Sequence, residues 1–193
     1  MMKLAAPLDD LRARYGDQLA MRVSIDHYTQ ALHETERGKH TWGRALLGLK
    51  WLVEKRFNTA LAGRTFWKES EASLRAGYAR LFAEHGIPLD AQHPTQLVLF
   101  PEMDAQIDVP EITTACWGIL HKSPNDVMCA SSRMIVKRKG AAAPVVLPCT
   151  LLPYDTQFEL GPRLADARGP VKLNHPHCAK FCVLGGGSCS VAT

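Results

Sequence analysis

The chain has 193 residues, 46% of them apolar and 22% charged, with a net charge of +4. That composition supports a sizeable core and argues against wholesale disorder. No apolar run of about 18 residues occurs and Met1 to Pro7 lacks a signal-peptide core before Asp9 and Asp10, so the expectation is a cytoplasmic protein with no membrane partner.

Pro7 to Tyr15 reads as a short helix with Leu8, Leu11 and Tyr15 inward, ended by Gly16. Leu19, Met21 and Val23 alternate as in a strand. Ser24 serves as N-cap for a helix bearing Ile25, Tyr28 and Leu32, which Gly38 ends. The stretch Thr41 to Gly63 then reads as one long helix, capped by Thr41 and closed by Gly63. Trp42, Ala45, Leu46, Leu49, Leu52, Val53, Phe57 and Ala60 form its inner face, and Leu47 and Trp51 stand among cations on the outer one. Phe66 to His85 repeats the helical pattern before Gly86 and Pro88.

From Leu89 onward proline is frequent and β-branched residues gather. Strands are expected at about Gln96 to Phe100, Glu111 to Leu120, Val127 to Arg138 and Val145 to Leu152, with a hairpin turn at His121 to Asp126. Pro148 and Pro153 mark the last as an edge or irregular strand. The expected fold class is α+β, an N-terminal antiparallel helical layer packed on a mainly antiparallel sheet formed by the C-terminal half. The expected divisions are a helical half at 1–88, a β-rich half at 89–174 and a Cys/His/Gly-rich tail at 175–193, together one compact unit.

Three groups of residues carry candidate chemistry. Between Arg37 and Arg80 ten Lys or Arg face three acids. Arg44, Leu47, Lys50, Trp51, Lys55, Arg64 and Lys68 could therefore dock on phosphates or a protein surface, with Trp51 or Trp67 stacking on a base. A solvated helix surface, with Arg56 laid along the apolar face, is the plainer account of the same charges. The second group is His175, His177, Cys178, Cys182 and Cys189, whose thiolate and imidazole donors suit zinc although no second paired knuckle follows. A tail of reduced cysteines around Gly185-Gly186-Gly187-Ser188 is the alternative. The third group is the acidic run Glu102, Asp104, Asp108 and Glu111, which lacks the following acid-x-Lys element of a metal nuclease and reads better as a negative docking loop.

No Gly-x-Ser-x-Gly elbow, phosphate-binding loop, dinucleotide fingerprint or His-Glu-x-x-His occurs. Cys116, Cys129 and Cys149 lie in apolar segments and read as inert buried thiols, although Cys129 or Cys149 could meet His121 in space. The leading expectation is a non-catalytic binding protein that docks on a nucleoprotein complex or on nucleic acid, in the manner of a small accessory or inhibitory protein of a phage or plasmid. The alternatives are an enzyme with a thiol or zinc centre made from the later Cys and His residues, and a protein–protein adaptor without nucleic acid.

Overall fold

The computed structural model describes residues 2–185. The chain divides into two compact units, one ending at Glu102 and the other running from Met103.

The first unit contains α1 (Ala5–Tyr15), β1 (Ala20–Ser24), α2 (Gln30–Arg37), α3 (Trp42–Glu54), β2 (Asn58–Arg64), α4 (Glu71–His85) and β3 (Leu97–Phe100). Its strands lie in the order β1-β2-β3 and both pairings are parallel, with Val23, Leu61 and Leu97 in one row. The expected α+β arrangement is therefore corrected. The main sheet belongs to the first half and is parallel, with α2 and α3 in the crossover from β1 to β2 and α4 in that from β2 to β3, as parallel neighbours require.

The largest departure is the stretch read as one helix from Thr41 to Gly63. Its second half is the central strand. Helix α3 stops at Glu54, and Arg56 takes a left-handed backbone, φ +55°, that turns the chain into β2. The turn is held by main-chain bonds from Arg56 N to Val53 O (2.8 Å) and Phe57 N to Leu52 O (3.0 Å). Gly63 is no helix cap. A Cβ there would collide with the Tyr78 hydroxyl and with Leu99, so the close approach of α4 to β2 requires glycine.

The core gathers Val23, Leu49, Leu52, Phe57, Leu61 and Leu97 with Tyr78, Leu81 and Phe82 from α4. Thr41 makes no side-chain cap on α3, and Ser24 is the last residue of β1 instead of a helix cap. Gly38 and Gly86 do close α2 and α4, both with positive φ, and Ser70 caps α4 by accepting from Ser73 N. On α1 only Leu8 packs on the core, while Leu11 and Tyr15 are exposed, against the expected inward face.

The second unit is built differently. Helix α5 (Ala115–Ile119) stands where a strand was expected, a 3₁₀ turn occupies Pro124–Asp126, and another at Met128–Ala130 interrupts the next expected strand. Among its described residues β4 (Met134–Val136) and β5 (Val145–Leu147) pair antiparallel, and Val146 also bridges to Gly161. The connection lies at 137–144, where Gly140 has φ +82°, and the expected hairpin turn at Pro124 is instead a capping box between Ser123 and Asp126. A single π-helical turn follows at Cys178–Val183. Val127, Val146, Leu147, Leu152, Phe158, Phe181 and Val183 are buried here. Among the described residues of the chain, no helix is long and apolar enough to cross a membrane.

Candidate functional site

The basic residues of the first unit are spread over several elements, and many have partners. Arg44 and Leu47 are exposed on α3, Leu47 to 57%, and Lys50 is half-buried. Trp51 is half-buried too, its ring 5.4 Å from that of Phe57. Lys55 lies 3.1 Å from Asp9, and Arg64 lies 3.7 Å from Glu36 with its guanidinium over Phe66. Lys68 is exposed in the loop after β2. Arg75 donates to Glu71 and to the carbonyl of Ala91, and Arg56, at the left-handed turn, is exposed instead of lying along the apolar face.

A buried polar group that the sequence did not advertise follows β1. Asp26, His27 and His33 are each only 1% exposed. Arg37 forks onto both oxygens of Asp26, and that hydrogen-bonded carboxylate raises the guanidinium pKa. His27 Nδ1 accepts from Thr29 N at 3.0 Å, so its proton sits on Nε2 and is donated to Glu69 Oε1 at 2.8 Å. Tyr28 donates to the other Glu69 oxygen at 2.9 Å. The His27 bond is the main reason the Glu69 carboxyl lies below its ordinary range. His33 Nδ1 accepts from Asp26 N at 3.2 Å, while its buried Nε2 has no partner, and burial pushes the ring toward its neutral form.

The carbonyls of this segment are claimed as well. Asp26 O accepts from Trp67 Nε1 and from Arg64 N, both at 3.0 Å, and Ile25 O accepts from Tyr78 at 2.8 Å. The carboxyl ends of parallel strands are where α/β sheets bind ligands. Here the position is filled by side chains that, His33 Nε2 apart, bond to one another and to the main chain, so the cluster fastens the Ile25 to Thr29 segment onto β2 and α4.

Four cysteines of the second unit converge. Cys129, Cys149, Cys178 and Cys182 all line one small cavity of about 20 Å³, with Met128 and Leu152 among its apolar walls. Cys178 and Cys182 come from the π turn, whose first N–H bonds to His175 O at 2.8 Å. Cys129 comes from the 3₁₀ turn before β4, and Cys149 follows β5. Burial raises the pKa of Cys129 and Cys178, and the charge of Cys129 adds to the rise at Cys178.

The predicted zinc set is thus divided. Cys178 and Cys182 share their cavity with two cysteines read from sequence as inert, while the histidines stand apart. His175 Nδ1 accepts from His177 N at 3.0 Å, and the nitrogens of His177 face the carbonyls of Met103 and Leu151. His175 lines an open cleft of about 790 Å³ with Asp108, Glu111 and Lys172, and this cleft and the cysteine cavity share Lys172 and Leu173. His121 is not in the cavity lining, and Cys189 lies outside the described residues. Of the acidic run, Asp104 accepts from Gln106 N, Asp108 and Glu111 face the cleft, and Glu102 belongs to the first unit.

No protein-family model, curated protein or solved structure matches the chain. The chemistry must therefore be read from the donors themselves. Among the described residues no three His, Cys, Asp or Glu side chains already stand in joint reach of one ion. Four sulfur donors around a cavity large enough for a single ion form a soft ligand set, which would have to close by side-chain rotation to bind. No spacing rule could have revealed it, because Cys129 and Cys149 come from separate turns far from the Cys178 pair in sequence.

Proposed function

We propose that this chain is a metal–thiolate protein whose second unit is assembled around a soft divalent ion of the zinc type, held by Cys129, Cys149, Cys178 and Cys182. The observation that carries the reading is the convergence of four cysteines on one cavity in a unit whose described residues include two three-residue strands and one five-residue α-helix. So little regular structure leaves a small core short of stabilisation, and such units are commonly stapled by disulfides or metal. Cys129 and Cys178 are thiols, and their burial keeps them protonated until a cation displaces the proton. A four-thiolate site leaves no open position, so the ion's role is structural, and any work on a ligand falls to the adjoining cleft.

Metal content of the full chain, measured by atomic spectroscopy, tests this. One ion per chain is expected, lost in Cys129→Ser, Cys149→Ser, Cys178→Ser and Cys182→Ser but kept in His175→Ala and His177→Ala. A metal-free chain with an ordered second unit would contradict it.

A second reading, docking on a nucleoprotein complex, is favoured by one observation: exposed Leu47 lies beside exposed Arg44 on α3. Leu47→Asp with Arg44→Glu should then abolish capture of the complex, with Lys68→Glu weakening it. Salt-sensitive binding would indicate phosphate contacts.

A further inference from the structure

We propose that Lys122 and Arg133 are positioning residues and built-in counter-charges of the thiol centre, each clamping the main chain of a cysteine that lines it; this rests on the metal–thiolate reading. Lys122 Nζ donates to the carbonyls of Cys182 at 3.2 Å and Val183 at 2.8 Å. One ammonium bridging two successive carbonyls fixes the end of the π turn from which Cys178 and Cys182 project. Arg133 acts likewise on the Cys129 segment. Its Nη1 donates to Cys129 O at 2.7 Å and Ser132 O at 2.8 Å, and its Nε reaches Ala167 O at 2.7 Å.

Both side chains are half-buried, and among the described residues neither pairs with a carboxylate. Two inward cations answered only by carbonyl dipoles leave positive charge uncompensated within the unit. Four thiolates on a divalent ion carry a net charge of about −2, which these two residues balance. The link is most direct at one corner, where Arg133 bonds the carbonyl of Cys129 itself. The cations thus act through the cysteines and touch no metal themselves.

Cobalt(II), whose thiolate charge-transfer band reports its sulfur ligands, is the probe, titrated into the full chain against a competing chelator. Lys122→Met and Arg133→Met should each weaken Co(II) binding about tenfold, the scale of outer-shell effects on metal sites. Lys122→Arg should restore it, and near-ultraviolet circular dichroism of the loaded variants should match the parent. If Lys122→Met does not fold, Lys122→Gln keeps a hydrogen-bond donor without the charge and should show the same weakening. Unchanged affinity in the folded variants overturns the inference alone. A parent chain that takes up no Co(II) overturns the metal–thiolate reading and this inference with it.

Discussion

The two units of this chain hold their shape by different means. In the first, strands and helices alternate, the sheet is parallel, and a continuous apolar core runs from Val23 through Leu61 to Leu97. Among the described residues of the second, regular strand pairing amounts to one short hairpin, and side chains do much of what a ladder of backbone bonds does elsewhere. Arg133 and Lys122 bond five carbonyls between them, and four cysteines line one cavity where a larger core would supply aliphatic side chains. On the metal–thiolate reading, a ligand ion would switch such a unit between loose and firm. A unit that depends on packing is indifferent to it.

That contrast can be broken most forcefully at the centre of the parallel sheet. Leu61 is wholly buried, and Leu61→Ala should cost about 3 kcal/mol, the middle of the range for such truncations. Peptide-resolved hydrogen exchange should show the loss across β1, β2 and β3, with the second unit's protection unchanged. A smaller loss is expected at the polar fastening. Asp26→Asn removes the charged partner of Arg37 and should cost about 2 kcal/mol, since one member of the pair stays partly solvated. Protection should fall first in the Ile25 to Thr29 segment.

The smallest effect concerns pH. Burial holds the His33 pKa below its ordinary value, 6.5, so below about pH 6.5 the unfolded chain binds a proton that the folded one refuses. The first unit should hold its stability above that pH and lose it as the pH falls, until the folded ring itself titrates. The slope is at most about 1.4 kcal/mol per pH unit for one proton. Urea midpoints between pH 7 and pH 5 should drift downward, and His33→Gln should flatten that drift. Glu69, whose folded pKa is depressed, contributes its loss only at lower pH, below its ordinary 4.5.

Part of this architecture was legible in the sequence. The alternation of Met21 and Val23 marked β1, and Gly38 and Gly86 marked two helix ends, because both positions need a backbone that glycine adopts freely. Strand β2 was hidden for two reasons. Its Ala60, Leu61 and Ala62 suit a helix as well as a strand, and the break before it is made by Arg56 in a conformation that usually advertises itself with glycine. Gly63 then looked like a helix end, when it is there to admit Tyr78. The strand expected at Glu111 to Leu120 failed because β-branched Thr113 and Thr114 precede a helix instead of forming a ladder. For the candidate site, sequence proximity picked out Cys178 and Cys182 but also drew in His175, which accepts from His177 N and lines the open cleft, and His177, whose ring faces the carbonyls of Met103 and Leu151. Cys129 and Cys149 are joined to the pair only by tertiary folding.

The most direct test of the central claim is hydrogen exchange of the zinc-loaded full chain, before and after removal of metal by a strong chelator. The account predicts that protection collapses around Cys129, Cys149 and the Cys178–Val183 turn while β1, β2 and β3 exchange as before. Identical exchange with and without chelator would contradict it.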